Sequence, residues 1–132
     1  MAISGLISAG LTFAQAVSCP ASVPHSGEGW KATGGRAGDR AEHRLNGVSI
    51  ANTEGANVYD LAPDEETRQG VKYVNTWKLK NYRDLNIRLS CRYRDTSLIL
   101  SRDLPAKLET CVFVFDLDAK ANVTGSPSLT CR

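Results

Sequence analysis

The residues of this chain whose types and spacing could do chemistry are four cysteines, two histidines and several clustered carboxylates, and Cys91 is the most suggestive of them. It stands in the stretch RLSCRYRDTSLILSR, Arg88 to Arg102, with Arg88, Arg92 and Arg94 as neighbours. Guanidinium groups stabilise a thiolate and lower its pKa, so this setting could make a nucleophile. It could equally hold a metal ligand or half of a disulfide. No Cys-x-x-Cys pair occurs to support zinc or dithiol redox chemistry.

Other chemistry finds less support. His25 and His43 could be drawn into a Ser-His-Asp triad, yet no Gly-x-Ser-x-Gly elbow accompanies them. A metal site from His25, His43 and Asp39 or Glu42 is conceivable, but solvated loop histidines are the expectation. Asp64, Glu65 and Glu66, and likewise Asp116 and Asp118, fall where turns and helix starts favour acids. The stretch Thr33-Gly34-Gly35-Arg36-Ala37-Gly38 lacks the Gly-Lys-Ser/Thr ending of a phosphate loop and reads as a flexible connection. Asn122-Val123-Thr124 is a glycosylation sequon with meaning only in a eukaryotic secretory pathway. The chain is therefore expected to have no catalytic residue, no metal and no cofactor.

What the cysteines do depends on the compartment. The opening MAISGLISAGLTFAQA is apolar from Ala2 to Phe13 and ends in Ala14-Gln15-Ala16, a small-x-small cleavage pattern. Residues 1–16 read as a signal peptide, too short for a membrane span, which takes roughly 20 apolar residues. Residues 17–132 then form one domain, large enough to bury a core. Its 16 basic and 14 acidic side chains give a net charge of +2, which argues against a general nucleic-acid binder. Cys19, Cys91, Cys111 and Cys131 all lie beyond the leader, as two disulfides in the periplasm would require. The rival is a lipid anchor on Cys19, since Ala16-Val17-Ser18-Cys19 faintly resembles a lipobox; it would leave an odd thiol.

The elements that must position these residues are strands. In VKYVNTWKLK, Val71, Tyr73, Trp77 and Leu79 alternate with Lys72, Val74, Thr76, Lys78 and Lys80, the period of a half-buried strand. Ile87, Leu89, Cys91 and Tyr93 alternate likewise with Asn86, Arg88, Ser90 and Arg92. Arg94-Asp95 predicts a tight hairpin into Thr96–Ser101, with Cys91 facing Leu98. Thr110–Phe115 and Ser128–Cys131 complete the set, with Ser101 expected to pair with Thr110. Earlier, a short strand around Trp30 enters a loop, Asn46-Gly47 signals a turn, and Pro63 could start one helical turn. The fold class is mainly β, a small antiparallel meander or sandwich with two disulfides.

In that register Cys91 and Cys111 sit two strands apart, roughly 10 Å, beyond the about 7 Å limit for bridging. Folding the last strand back on its neighbour sets Cys111 beside Cys131. The prediction is Cys111 with Cys131 and Cys19 with Cys91. Cys91 then points inward while its arginines point outward, so the staple is favoured over the nucleophile.

One surface feature stands out. Pairing the two strands across the Asn81-to-Leu85 loop brings Lys78 opposite Arg88, with Lys72, Lys80 and Arg92 on the same outer face and Tyr82 in the loop. Like charges facing each other are destabilising, so a retained basic band suggests an acidic protein partner. The competing expectation is that lysines only guard a sheet edge, or that Asp64, Glu65 and Glu66 fold over them.

With Cys19-Pro20, Gly29-Trp30, Trp77, Cys91-Arg92-Tyr93-Arg94-Asp95-Thr96, a Leu-rich strand from Leu98 to Leu104, and Cys111 and Cys131 in place, the chain resembles a family of small exported enterobacterial and proteobacterial proteins. Ser49 to Asp60 departs from that family's more hydrophobic pattern. The shared motifs are structural. By analogy of class, such small periplasmic proteins without catalytic residues act as immunity proteins or inhibitors of cell-wall-degrading toxins, and that is the expected function. The alternative is an envelope or carbohydrate-binding module, which would need Trp30, Trp77 and Tyr82 exposed.

Overall fold

A computed structural model describes residues 15–25 and 27–132, so the expected leader lies, but for its last two residues, outside the described residues. Strands β1 (Val17–Ser18), β2 (Ser22–Val23), β3 (Lys31–Thr33), β4 (His43–Glu54), β5 (Asn57–Asp60), β6 (Glu65–Gln69), β7 (Lys72–Lys78), β8 (Ile87–Tyr93), β9 (Ile99–Asp103), β10 (Thr110–Leu117) and β11 (Val123–Cys131) form two sheets. The first runs β1-β11-β10-β7-β6; the second runs β2-β4-β8-β9-β3, with β5 folded back on the far end of β4. Every pairing is antiparallel.

The alternation read along the chain sets the inner faces. Trp77, Cys111, Phe113, Leu129 and Cys131 of the first sheet pack with Leu45, Ile50, Leu89, Cys91, Tyr93 and Leu100 of the second, and Leu79 and Leu108 close one end. Stacking two half-apolar sheets is the arrangement that removes both apolar faces from water. A single meander would leave one such face wet.

The fold class is therefore the sandwich, and the meander register is corrected. Strand β7 pairs with β10, with Trp77 opposite Cys111, and does not pair with β8. A 3-10 turn, Leu79–Tyr82, carries the chain across to the second sheet instead, pinned by the Leu79 amide donating to the Glu109 carbonyl at 2.7 Å. Ser101 pairs with Lys31 of β3 rather than with Thr110. The β8–β9 hairpin is also wider than two residues, for Cys91 faces Leu100. Asp95 takes a positive φ of 62° there, a conformation that Asp tolerates better than most side chains.

Two further expectations change. Asn46-Gly47 forms no turn but lies at a bulge in β4 between Leu45 and Gly47. The segment after Pro63 is the edge strand β6 rather than a helical turn, entered by the Asp64 carboxylate accepting the Lys78 amide at 2.6 Å.

Both disulfides join the expected partners. Cys111 and Cys131 lie directly opposite each other on β10 and β11, with α-carbons 3.9 Å apart. Cys19 follows β1 of the first sheet and bonds to Cys91 of β8 in the second, at 5.9 Å. One bridge thus ties a sheet to itself and the other ties the two sheets together. Cys91 is fully buried, which settles its role as a staple.

The glycine-rich loop is anchored rather than flexible. The Gly35 amide donates to the Ser97 hydroxyl at 3.0 Å, and Gly34 adopts φ +73° with the position of a Cβ only 2.4 Å from the Ser97 carbonyl oxygen. Gly34→Ala combines a clash with backbone and a left-handed strain. It is expected to lower stability by about 1–3 kcal/mol, read as a fall in the urea midpoint at unchanged slope.

Candidate partner-binding surface

The six residues expected to meet a partner fall on different parts of the sandwich. Lys72 and Lys78 are on β7 in the first sheet, paired across the ladder with Asp116 and Thr110. The ammonium of Lys78 is 2.8 Å from the Glu65 carboxylate, and this hydrogen bond raises its pKa. Glu65 thus partly neutralises Lys78. Lys80 and Tyr82 belong to the 3-10 turn, where Tyr82 is half-buried beside a cleft of about 320 Å³ between that turn and the Asp103–Leu108 connection. Arg88 and Arg92 lie on β8 in the second sheet. The continuous basic band is corrected, because β7 and β8 are in separate sheets.

Arg88 and Arg92 do share an outer face. The ladder there runs in rows: Ser49, Ser90, Ser101 and Lys31 stand opposite one another across β4, β8, β9 and β3. On one side of this row lie Gly47, Arg92 and Ile99, on the other Ala51, Arg88 and Asp103. The Arg92 guanidinium folds over Gly47 to donate to the Ser49 hydroxyl and, at 3.2 Å, to the Val48 carbonyl. Arg88 meets Asp103 at 3.6 Å, both exposed. An exposed pair of this kind contributes little to stability.

The aromatic residues a sugar would need are largely covered. Trp77 is 4 % exposed and its indole N–H donates to the Leu61 carbonyl at 2.8 Å. Trp30 packs against the core under the Arg102 guanidinium, 5.1 Å from its ring. Among the described residues, large hydrophobic side chains left exposed are Val58 and Tyr59 on β5, Val71 and Leu85.

Arg102 was not singled out from the sequence, although a signal existed. It follows Leu100 by two residues, so it takes the inward phase of β9, opposite Leu89. A cation in that phase needs a special environment.

His43 is better buried than a solvated loop histidine, its side chain 13 % exposed. Its Nε2 is 2.7 Å from the Asp39 carboxylate and its Nδ1 is 2.8 Å from the Arg94 carbonyl. Two acceptors on one ring favour the imidazolium, and the Asp39 hydrogen bond chiefly raises the His43 pKa. Asp39 is held below the usual carboxylate range, first by the Ala41 amide and then by His43. Stability from a raised histidine is complete below about pH 6.5, its unfolded value, and fades as pH climbs through the folded value. Stability from a lowered Asp is complete above its unfolded value, about 3.9, and fades on acidification. The latch is whole between these limits. Thermal scans should show the melting temperature falling from pH 6 to 8, and His43→Gln should flatten that slope.

The family model described as "Type VI secretion system Tli immunity protein" matches residues 40–132, which include β4 to β11 and three of the four cysteines. An Azospirillum brasilense protein described as "Uncharacterized 16.3 kDa protein in trpG 5'region" is 29% identical over 133 residues, covering 91% of this chain and 85% of that one. No solved structure matches the chain.

Proposed function

Since the chain belongs to the type VI secretion system Tli immunity protein family, we propose that it works in the periplasm, where it binds an envelope-degrading toxin, such as a cell-wall hydrolase, delivered by a neighbouring cell and blocks its activity. The family match over residues 40–132 carries this reading. Two disulfides support the oxidising compartment, since such bridges persist outside the reducing cytosol. A rigid, cross-linked sandwich also suits an inhibitor, because a preorganised surface loses little entropy on docking. The outer-face cations Arg88 and Arg92 are the members of the expected band assigned to the partner; Lys72, Lys78, Lys80 and Tyr82 lie on other faces.

No chemistry is asked of the chain itself. Blocking requires only that the complex cover the toxin's substrate entry or prevent its closure. The buried, hydrogen-bonded Trp77 and the covered Trp30 disfavour a carbohydrate-binding module.

The test is direct. The oxidised protein is mixed with purified candidate envelope-degrading toxins, and complex formation and the turnover of each toxin are both measured. The expected result is a stoichiometric complex in which turnover is lost. Full toxin activity in the presence of excess protein overturns the proposal.

A further inference from the structure

A cleft of about 280 Å³ opens at the rim of the second sheet, lined by Gly29, Lys31, Arg88, Ser101, Arg102 and Asp103. Three of these residues are cations and one is an acid. Asp103 is engaged with Arg88 at 3.6 Å. Lys31 and Arg102 make no ion pair among the described residues. The cleft therefore holds more positive charge than its own carboxylate balances.

Arg102 is held in place in an unusual way. Its guanidinium lies over the Trp30 ring, and Gly29, at φ +90°, lets the backbone pass so closely that a Cβ there would be 3.2 Å from the guanidinium carbon. Any residue but glycine would be strained and would push on the arginine. The Nε of Arg102 is buried and has no hydrogen-bond acceptor among the described residues. A buried donor without a partner is destabilising, and native proteins rarely keep one without a reason. The turn Gly29-Trp30 thus fixes an arginine that the described residues leave incompletely bonded.

The approach to the cleft is open. The half-buried row of Ser49, Ser90 and Ser101 runs from it across the outer face, and such short side chains keep that face low. Arg92 borders the same row.

From this arrangement we infer that the cleft formed by Lys31, Arg88 and Arg102 is where the toxin docks, receiving an aspartate or glutamate side chain from an acidic patch on the toxin surface. The inference rests on the immunity reading and names the contact it uses. Charge complementarity decides the occupant: an acidic side chain neutralises the surplus cations and accepts from the exposed N–H groups of Lys31 and Arg88, whereas an apolar or basic surface would bury them unpaired. Electrostatic attraction would also speed encounter, which matters to an antidote racing a toxin.

Two probes test it. The first is an oligoglutamate peptide titrated into the whole oxidised protein while the arginine Nε–H and backbone amide NMR signals are followed. The expected result is a saturable shift of the Arg102 Nε–H and of amides at Lys31, Arg88 and Ser101, larger than inorganic phosphate produces, and lost in Lys31→Glu/Arg88→Glu. Shifts confined to another face, or none, overturn the cleft. The second is the toxin: the same double variant, its fold verified by amide shifts elsewhere, should bind about a hundredfold more weakly. If the variant still neutralises the toxin as well as the wild type, the cleft is wrong and the immunity function stands. If Val112→Lys or Val114→Lys, on the outer face of the first sheet, abolishes binding while the double variant does not, docking uses that sheet and the inference falls. Should the peptide seat in the cleft while no toxin is neutralised, the carboxylate site stands and the immunity reading fails.

Discussion

Replacing Cys19 and Cys91 together by alanine should lower stability by about 4 kcal/mol, the chain-entropy value for so long a closed loop. The bridge spans 72 residues, against 20 for Cys111–Cys131, so the first should matter more, the second amounting to about 3 kcal/mol. Topology points the same way. Cys19–Cys91 connects the two sheets, and the strand beside it, β1, is only Val17–Ser18 against β11. Without the bridge the segment carrying β1 and β2 would rely on a two-residue pairing at each end, on the Cys19 amide donating to the Leu129 carbonyl and the Leu45 amide to the Ala21 carbonyl, and on the Tyr93 hydroxyl donating to the Pro20 carbonyl at 2.8 Å. Urea unfolding of the double variant is the measurement. A loss smaller than that from removing Cys111 and Cys131 would contradict the assigned roles.

Trp77→Ala should cost about 3–5 kcal/mol, as expected for deleting a large buried aromatic side chain. The residue sits opposite Cys111 in the first sheet, buried in the core, and its indole also satisfies the Leu61 carbonyl. Trp77→Phe separates the two contributions: it keeps most of the apolar volume and loses the hydrogen bond, for a cost of about 1 kcal/mol from that bond. If the alanine variant unfolds no more easily than the phenylalanine variant, Trp77 does not fill the core as described. Calorimetry or urea unfolding reads both.

The second half of the chain was the more legible because its strands carry strong local signals. Val71 to Leu79, interrupted at Asn75, and Ile87 to Tyr93 place apolar residues at every second position, while Thr110 to Phe115 is a β-branched and aromatic run, and these are close to the strands observed. The cysteine partners were predicted from a meander register that set Cys91 and Cys111 two strands apart; that register fails, yet the partners hold, because Cys91 and Cys111 lie in different sheets while Cys111 stands opposite Cys131. Which strands pair was not legible. A loop of a few residues between β7 and β8 suits a hairpin as well as a crossing between sheets, and the alternation of either strand is the same in both cases. The choice is made by Leu79, whose burial pulls the chain across the end of the sandwich.

The first half was obscured for a different reason. Strands β3, β5 and β6 are edge elements with every residue exposed, so they carry no inward apolar phase to read. Strand β4 does carry one, but the bulge after Leu45 shifts it by a residue, and Asn46-Gly47 there resembles a turn. The candidate site suffered from both effects. Lys31 is on an edge strand and Arg102 in an inward phase, so neither belongs to the pattern of outward lysines that suggested a band. Arg88 and Arg92 did belong to it, and they remain with the proposed surface.

The most direct measurement is survival of cells in which a candidate envelope-degrading toxin is sent to the periplasm, with this protein either exported or held in the cytosol. Exported, oxidised protein is expected to protect the cells, and the cytosolic form is not. Equal protection from the cytosolic form, or death in spite of abundant exported protein, would contradict it.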